Sequence, residues 1–572
     1  MRNSAYKITF ITLVSLFISA VINPVWAQVK TYNEEITVVA PFNPIIPDAF
    51  KISSNPAITD TLASIPQMTY SVVPRLAEVR PVIEPLPAVK LVAEPISKLY
   101  RNYIRGGGGN YSSIYGELFM SNLRSKKYLS SVHLKHLSSA GEIKDYGPAA
   151  NSRQEAEISG TRYFDELALA GKIYYNRDGL HLYGYKPADN PDTVIEKEDV
   201  QQRYHTAGAE LNYSSTYKDM DKLNHSIGLS YYYMGGLHEM KENNVLLTAT
   251  LDKRYDLLKL EKQQVLGITA SYNFLNQHNT MGANNNSILL INPFIKAEYN
   301  EYSFMAGFKL NVASDTLTTK GYIYPVAEAK LELIPDALKL FAGISGGMER
   351  TTLQNTTQQN LYISPVMPWD FVYNKFNIYG GFLSNITSSV NFNGSIASNT
   401  YDNYPFFITD TSSYLLNTFT LVYDHMSTVK IKGEVEFVKT ARLRMALNGT
   451  YSHYKTNQEH AWYKPSYEFE FNGRYDMQSK IAVTLKAVVT GPVWAAVPVA
   501  DPLIDGIGPQ PYIFESQKLK GWADINLGLE YRFTKALSAW LNFNNLTNSK
   551  YYRWNNYRSY GINVLGGVSY TF

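Results

Sequence analysis

From about residue 99 to the carboxyl terminus, apolar and polar side chains alternate in segments of about ten residues divided by turn-rich stretches. Successive side chains of a strand point to opposite sides, so each segment reads as a strand with one apolar and one polar face. In residues 524–533, Ile525, Leu527, Leu529, Tyr531 and Phe533 oppose Asp524, Asn526, Gly528, Glu530 and Arg532. Tyr467, Phe469, Phe471 and Tyr475 oppose Glu468, Glu470, Asn472 and Arg474 in the same way. So do Val429, Ile431, Val435 and Phe437 against Lys430, Lys432, Glu434 and Glu436. Charges of both signs on the polar face predict a solvated, cross-paired wall. The opposite face suits hydrocarbon.

The alternation runs to the last residue. Tyr560, Ile562, Val564, Gly566, Val568, Tyr570 and Phe572 share one face, against Gly561, Asn563, Leu565, Gly567, Ser569 and Thr571. Short connections near residues 122–127, 163–166, 334–337, 439–441, 476–479 and 534–536 largely alternate with longer ones rich in Asn, Asp, Gly and Pro. The longer ones lie near residues 139–152, 180–201, 277–285, 349–372, 400–415, 455–465, 491–517 and 547–559. Short periplasmic turns and long outer loops are the pattern of an outer-membrane barrel. Residues 417–424 are read as the top of the strand through Val429. Counting back from Phe572 finds strands near 561, 537, 518, 480, 466, 441, 428, 386, 375, 338, 322, 302, 286, 263, 241, 224, 203, 166, 153, 126 and 113. An odd number would bring the chain in from outside, so residues 99–108 supply one more. The expected fold is all-β: an antiparallel transmembrane β-barrel of about 22 strands, preceded by a proline-rich extended periplasmic segment.

That division gives three segments: a signal peptide (1–27), a periplasmic arm or plug remnant (28–97) and the barrel (98–572). Arg2 and Lys7 precede an apolar run over residues 8–22, and Val25-Trp26-Ala27 makes a small-residue cleavage site, so the mature chain should begin near Gln28. Prolines at 41, 44, 47, 56, 66, 74, 81, 85, 87 and 95 each remove a ladder donor, so a regular sheet is not expected across the arm. The 45 tyrosines fit aromatic girdles at two membrane interfaces. With no cysteines there is no disulfide framework, thiolate metal site or lipidated cysteine. A formal net charge of +3 makes no case for a nucleic-acid partner.

Little in the chain suggests chemistry. Gly106 to Gly109 lacks the Lys-Ser/Thr and the helix of a phosphate cradle and reads as a tight turn between strands. His133 and His136 fall on opposite faces of one strand and cannot converge on an ion. No Ser/His/acid arrangement is placed together. No enzyme activity, cofactor or metal is expected.

Two runs carry a family resemblance. Asn545-Leu546-Thr547-Asn548, then Tyr551, Tyr552 and Trp554, a glycine and a final strand ending Tyr-Thr-Phe, resemble the carboxyl end of TonB-dependent receptors. Near the mature amino terminus, Glu35, Ile36, Thr37, Val38, Val39 and Ala40 resemble the TonB box, which adds a strand to a periplasmic energy-coupling protein. The resemblance implies a cell outer-membrane receptor-like transporter for solute uptake, with lipid, the assembly machinery and a TonB-like protein as partners. In that class the final strand, here Tyr560, Ile562, Val564, Val568, Tyr570 and Phe572, is the assembly signal. The chain departs from the family in having only about seventy proline-rich residues where a folded plug of roughly twice that length would stand. A structural or accessory barrel, or a passive pore, is the alternative. The resemblance names no substrate.

Overall fold

The computed structural model describes residues 102–572 apart from 123–124, 190, 192–193, 218–220, 259, 261, 441 and 501–511. Twenty-two of its strands form one closed antiparallel sheet. Each pairs with its sequence neighbours, and the ring closes where the first strand, Asn102–Gly109, pairs with the last, Asn563–Thr571. Closure leaves no sheet edge, which hydrocarbon would not tolerate.

Alternation places the side chains as expected. Ile158, Ile173, Ile323 and Val568 are among many large apolar residues exposed on the outer wall, Ile173 at 65% and Val568 at 58%. Inward-facing charges pair across strands, as in Lys172 with Glu210 at 2.9 Å, Lys486 with Glu470 at 3.0 Å and Arg532 with Asp476 at 3.0 Å. Such pairs, open to water, each contribute at most about 1 kcal/mol. Each neutralises charge locally along the luminal wall.

The seam depends on missing side chains. Gly107 faces Gly567 across the closing pair, and Gly106 to Gly109 lie inside the first strand, its turn following at residues 110–112. This corrects the expectation of a glycine turn: the backbones approach so closely that a Cβ at Gly107 would stand 2.4 Å from the Gly566 carbonyl oxygen. The space left on the luminal side is filled by the Trp540 indole, with the Arg105 guanidinium 4.2 Å above that ring.

Strand length differs between the two ends. The strand Phe419–Thr440 has 22 residues, roughly 70 Å at about 3.3 Å each, far beyond an apolar band about 25 Å tall. It runs unbroken through residues 419–424, and Val390–Thr409 likewise continues past the expected loop at residue 400. The loop expected at 277–285 is a two-residue turn between Gln264–Asn279 and Gly282–Tyr299. Its asparagines stay in register, with Asn276 Nδ2 donating to Asn285 Oδ1 at 2.6 Å. Polar composition there marks strands projecting into water rather than a break in pairing. The largest buried cluster gathers at this long-loop end, between loops and strand tips.

Replacing Gly567 with Val should prevent closure, seen as loss of the compact, heat-modifiable species on electrophoresis. Gly433→Ala, where an added Cβ meets nothing within 4 Å, should leave that species intact.

Candidate functional site

The loop of residues 351–370 is held in place by a buried carboxylate. Thr352 caps the short helix Leu353–Gln359: its hydroxyl accepts from the Asn355 amide at 3.0 Å, while its own amide donates to Asn355 Oδ1 at 2.8 Å. The orphan amides at this helix start need acceptors. Glu242, fully buried at the tip of Lys241–Tyr255, accepts from the Leu353 amide at 2.5 Å and the Gln354 amide at 3.3 Å. Tyr232 Oη and Gln277 Nε2 donate to the same carboxylate at 2.7 and 2.9 Å. Four donors compensate the loss of hydration.

Beyond the helix the loop becomes a strap across the mouth. Its carbonyls accept from Asn279 Nδ2 at Met367 (2.7 Å), Thr280 Oγ1 at Pro365 (2.9 Å), Thr420 Oγ1 at Val366 (2.8 Å) and Tyr423 Oη at Pro368 (3.0 Å). Ser364 N donates to the Phe419 carbonyl at 2.8 Å, and Phe419 N to that of Tyr362 at 2.9 Å. The donors Asn279 and Tyr423 stand on the ninth and sixteenth strands of the ring of 22, so the strap is tied to well-separated parts of the wall. Two of the strap's own side chains, Ile363 and Met367, are completely buried.

Four loops meet at Tyr557. Its ring stacks on Tyr362 with centroids 3.6 Å apart, meets Tyr183 edge-on at 4.9 Å and leans on Phe419 at 5.9 Å. The Tyr557 hydroxyl donates to the Asn417 carbonyl, and Asn417 Nδ2 donates to that of Leu182 at 2.6 Å. Apart from Phe419, at the start of its strand, each contact comes from a different loop: residues 182–200, 351–370 and 410–418 around 545–562.

The motif that carried the family resemblance folds the last of these loops. Asn545, left-handed at φ 51°, donates through Nδ2 to the carbonyls of Ser549 at 2.8 Å and Tyr560 at 3.0 Å. Its Oδ1 accepts from Thr547 Oγ1 and Ser549 N, and Asn548 Oδ1 accepts from Ile562 N at 3.0 Å. Asparagine tolerates this backbone and bonds its own neighbours.

Below the cluster lies a cavity of about 570 Å³, lined by Tyr362, Gln358, Asn544, Tyr551 and Arg553 among others. Tyr551 donates to Asp524 Oδ2 at 3.0 Å and stacks on Trp522. Burial is the main cause that pushes the Tyr551 and Tyr560 phenols up to about 12. Among the described residues no group of three or more His, Cys, Asp or Glu is placed to hold a metal ion.

Of the residues singled out from sequence, Glu35 to Ala40 lie outside the described residues. Val568, Tyr570 and Phe572 are exposed, Val564 and Ile562 half-buried. Tyr560 departs from its expected face: the last strand begins at Asn563, and the Tyr560 ring turns inward onto Tyr111, its hydroxyl donating to the Ala149 carbonyl at 2.6 Å. His133 bonds Glu117 and His136 bonds Ser138. Sequence reasoning missed Glu242, Tyr557 and the strap, whose partners lie far away along the chain. Leu353, Ile363 and Met367, apolar residues within a long loop, were the one legible hint.

No family model matches the chain, and no curated protein matches it in sequence. Among solved structures it is similar to the pyoverdine outer membrane receptor FpvA of Pseudomonas aeruginosa PAO1, with TM-score 0.61 and 11% identity over 83% of this chain and 79% of that one. The siderophore receptor PirA of Acinetobacter baumannii matches with TM-score 0.60 and 9% identity over 84% and 81%. The FrpB iron transporter of Neisseria meningitidis matches with TM-score 0.60 and 10% identity over 83% and 82%. The fold is thus that of outer-membrane receptor barrels, and the exposed apolar wall is the surface such a barrel presents to lipid.

Two outcomes follow from the geometry. Because the chain has no native cysteine, Asn544→Cys provides a single reporter inside the cavity; an impermeant maleimide added from outside should label it several-fold faster when Glu242→Ala unties the helix. The raised phenols stabilise the packed loops below the ordinary tyrosine pKa of about 10, a contribution lost as pH rises through about 12. Near-UV dichroism should therefore hold to about pH 10 and collapse together with tyrosinate absorbance above it.

Proposed function

We propose that this protein is an outer-membrane receptor that takes up a solute through its barrel. The observation that carries the reading is the strap that follows the helix in the loop of residues 351–370, tied across the mouth above a cavity of about 570 Å³. A passive pore has no use for such packing, whereas a receptor needs a surface that holds its solute and a closure that can yield. The likeness to the siderophore receptor PirA and the FrpB iron transporter supports uptake; the amide- and tyrosine-rich cavity does not identify what is carried.

In this reading residues 1–27 direct export and residues 28–97 are the periplasmic arm. Glu35, Ile36, Thr37, Val38, Val39 and Ala40 add a strand to a TonB-like protein: the β-branched residues favour extended backbone, and Pro41, Pro44 and Pro47 stop the strand from propagating. Val568, Tyr570 and Phe572 on the last strand present the signal read by the outer-membrane assembly machinery. A second reading, an accessory barrel that scaffolds a partner, draws on the hairpin of Val493–Ala500 and Tyr512–Leu519, whose Tyr512, Ile513 and Phe514 are exposed.

Cells with and without the protein should differ in uptake of at least one member of a solute panel. Val38→Pro should abolish that difference while barrel levels stay unchanged. A barrel that gives no uptake difference and copurifies with one fixed partner would instead establish the scaffold.

A further inference from the structure

On the outer wall, alternation puts one row of polar side chains where lipid-facing residues are expected. His136, Gln154, Arg177 and His205 pair in register across four successive strands, and Arg203 lies one outward position closer to the long-loop end. Their parity is fixed by Leu134, Ile158 and Ile173, exposed residues on the same faces further down the strands. Arg177 Nη1 donates to Gln154 Oε1 at 2.8 Å, Gln154 Nε2 sits 3.4 Å from His136 Nδ1, and Tyr175 Oη lies 2.7 Å from His205 Nδ1.

Charge pairing differs between the two sides of these strands. Inside, Arg153 lies 2.7 Å from Glu155 and 3.8 Å from Asp178, and Lys172 lies 2.9 Å from Glu210. Outside, among the described residues, no carboxylate stands within ion-pair distance of Arg177 or Arg203, and Arg203 Nε is buried without a partner. Two guanidinium groups on adjacent strands repel each other and are costly beside hydrocarbon unless an anion lies between them.

We propose that this row binds the phosphorylated headgroup of an outer-leaflet lipid. Arg177 and Arg203 grip the phosphate, for which the guanidinium fork is suited. Gln154 orients Arg177, and the acyl chains lie along Ile158 and Ile173, four residues or about 13 Å further into the membrane at about 3.3 Å per residue. Tyr175 marks the boundary, its ring among the exposed apolar residues and its hydroxyl on His205. A protein partner for this face would have to match a long apolar strip below the cations; a lipid does so by construction.

The test is native mass spectrometry of the full-length protein purified in detergent, titrated with bis-phosphorylated lipid A, with the same lipid stripped of phosphate, and with inorganic phosphate alone. The intact lipid should bind, the stripped lipid at least about tenfold more weakly, and inorganic phosphate not measurably. Arg177→Gln combined with Arg203→Gln should cost at least about tenfold in affinity for the intact lipid, while the luminal pair Lys430→Gln with Lys432→Gln should cost nothing. Equal binding of intact and stripped lipid, equal loss in both double variants, or binding of inorganic phosphate as tight as the lipid would overturn the proposal. So would a copurifying protein lost from the arginine variant in place of lipid. Should the arginine variant fail to assemble, the comparison of intact with stripped lipid on the unaltered protein decides.

Discussion

A backbone amide or carbonyl inside hydrocarbon has no water to turn to, and this one constraint governs the chain from Asn102 to Phe572. Every strand must be paired on both sides, so the last must find the first. The glycines make that meeting close enough: at Gly107, Gly109 and Gly567 the two main chains approach to distances that a side chain would forbid. Trp540 then occupies the luminal hollow, capped by Arg105. Glycine normally weakens a strand, yet here it is the condition for closing one.

A closed cylinder of 22 strands has a wide mouth, and its strands run well past the apolar belt at one end. Water-exposed strand tips and long loops there carry enough apolar surface to form a core of their own. Tyr557, Tyr362, Tyr183 and Phe419 supply it, and asparagine side chains satisfy the loop backbone that no ladder serves. Glu242 plays the matching part for the helix start, gathering donors from two strands and the loop at one point. The strap is therefore held by polar bonds at its ends and by aromatic packing at its middle.

Much of the barrel was legible because a period of two is a local signal. Strand count, closing strand and inward charges all follow from side chains alternating over about ten residues. Where local composition pointed elsewhere, pairing prevailed: Asn284 and Asn285 are polar because the strand stands in water, and Gly107 and Gly109 are small because another strand lies against them. The mouth was not legible. Tyr557 touches loops some 140 to 374 residues away in sequence, and nothing in a one-dimensional pattern brings them together. Asn545 and Asn548 were noticed as part of a family signature, and the structure supplies the physical reason for them: they are the loop's internal hydrogen-bonding frame.

The central claim is that the strap is part of the folded barrel and rests closed across its mouth. Hydrogen exchange on the full-length protein in membrane fragments addresses it directly, at the amides of Ser364 and Phe419, which donate in the bonds between strap and wall. If the strap is closed, these amides exchange as slowly as those of neighbouring barrel strands. Exchange at the rate of an open loop, with the strands still protected, would contradict the account.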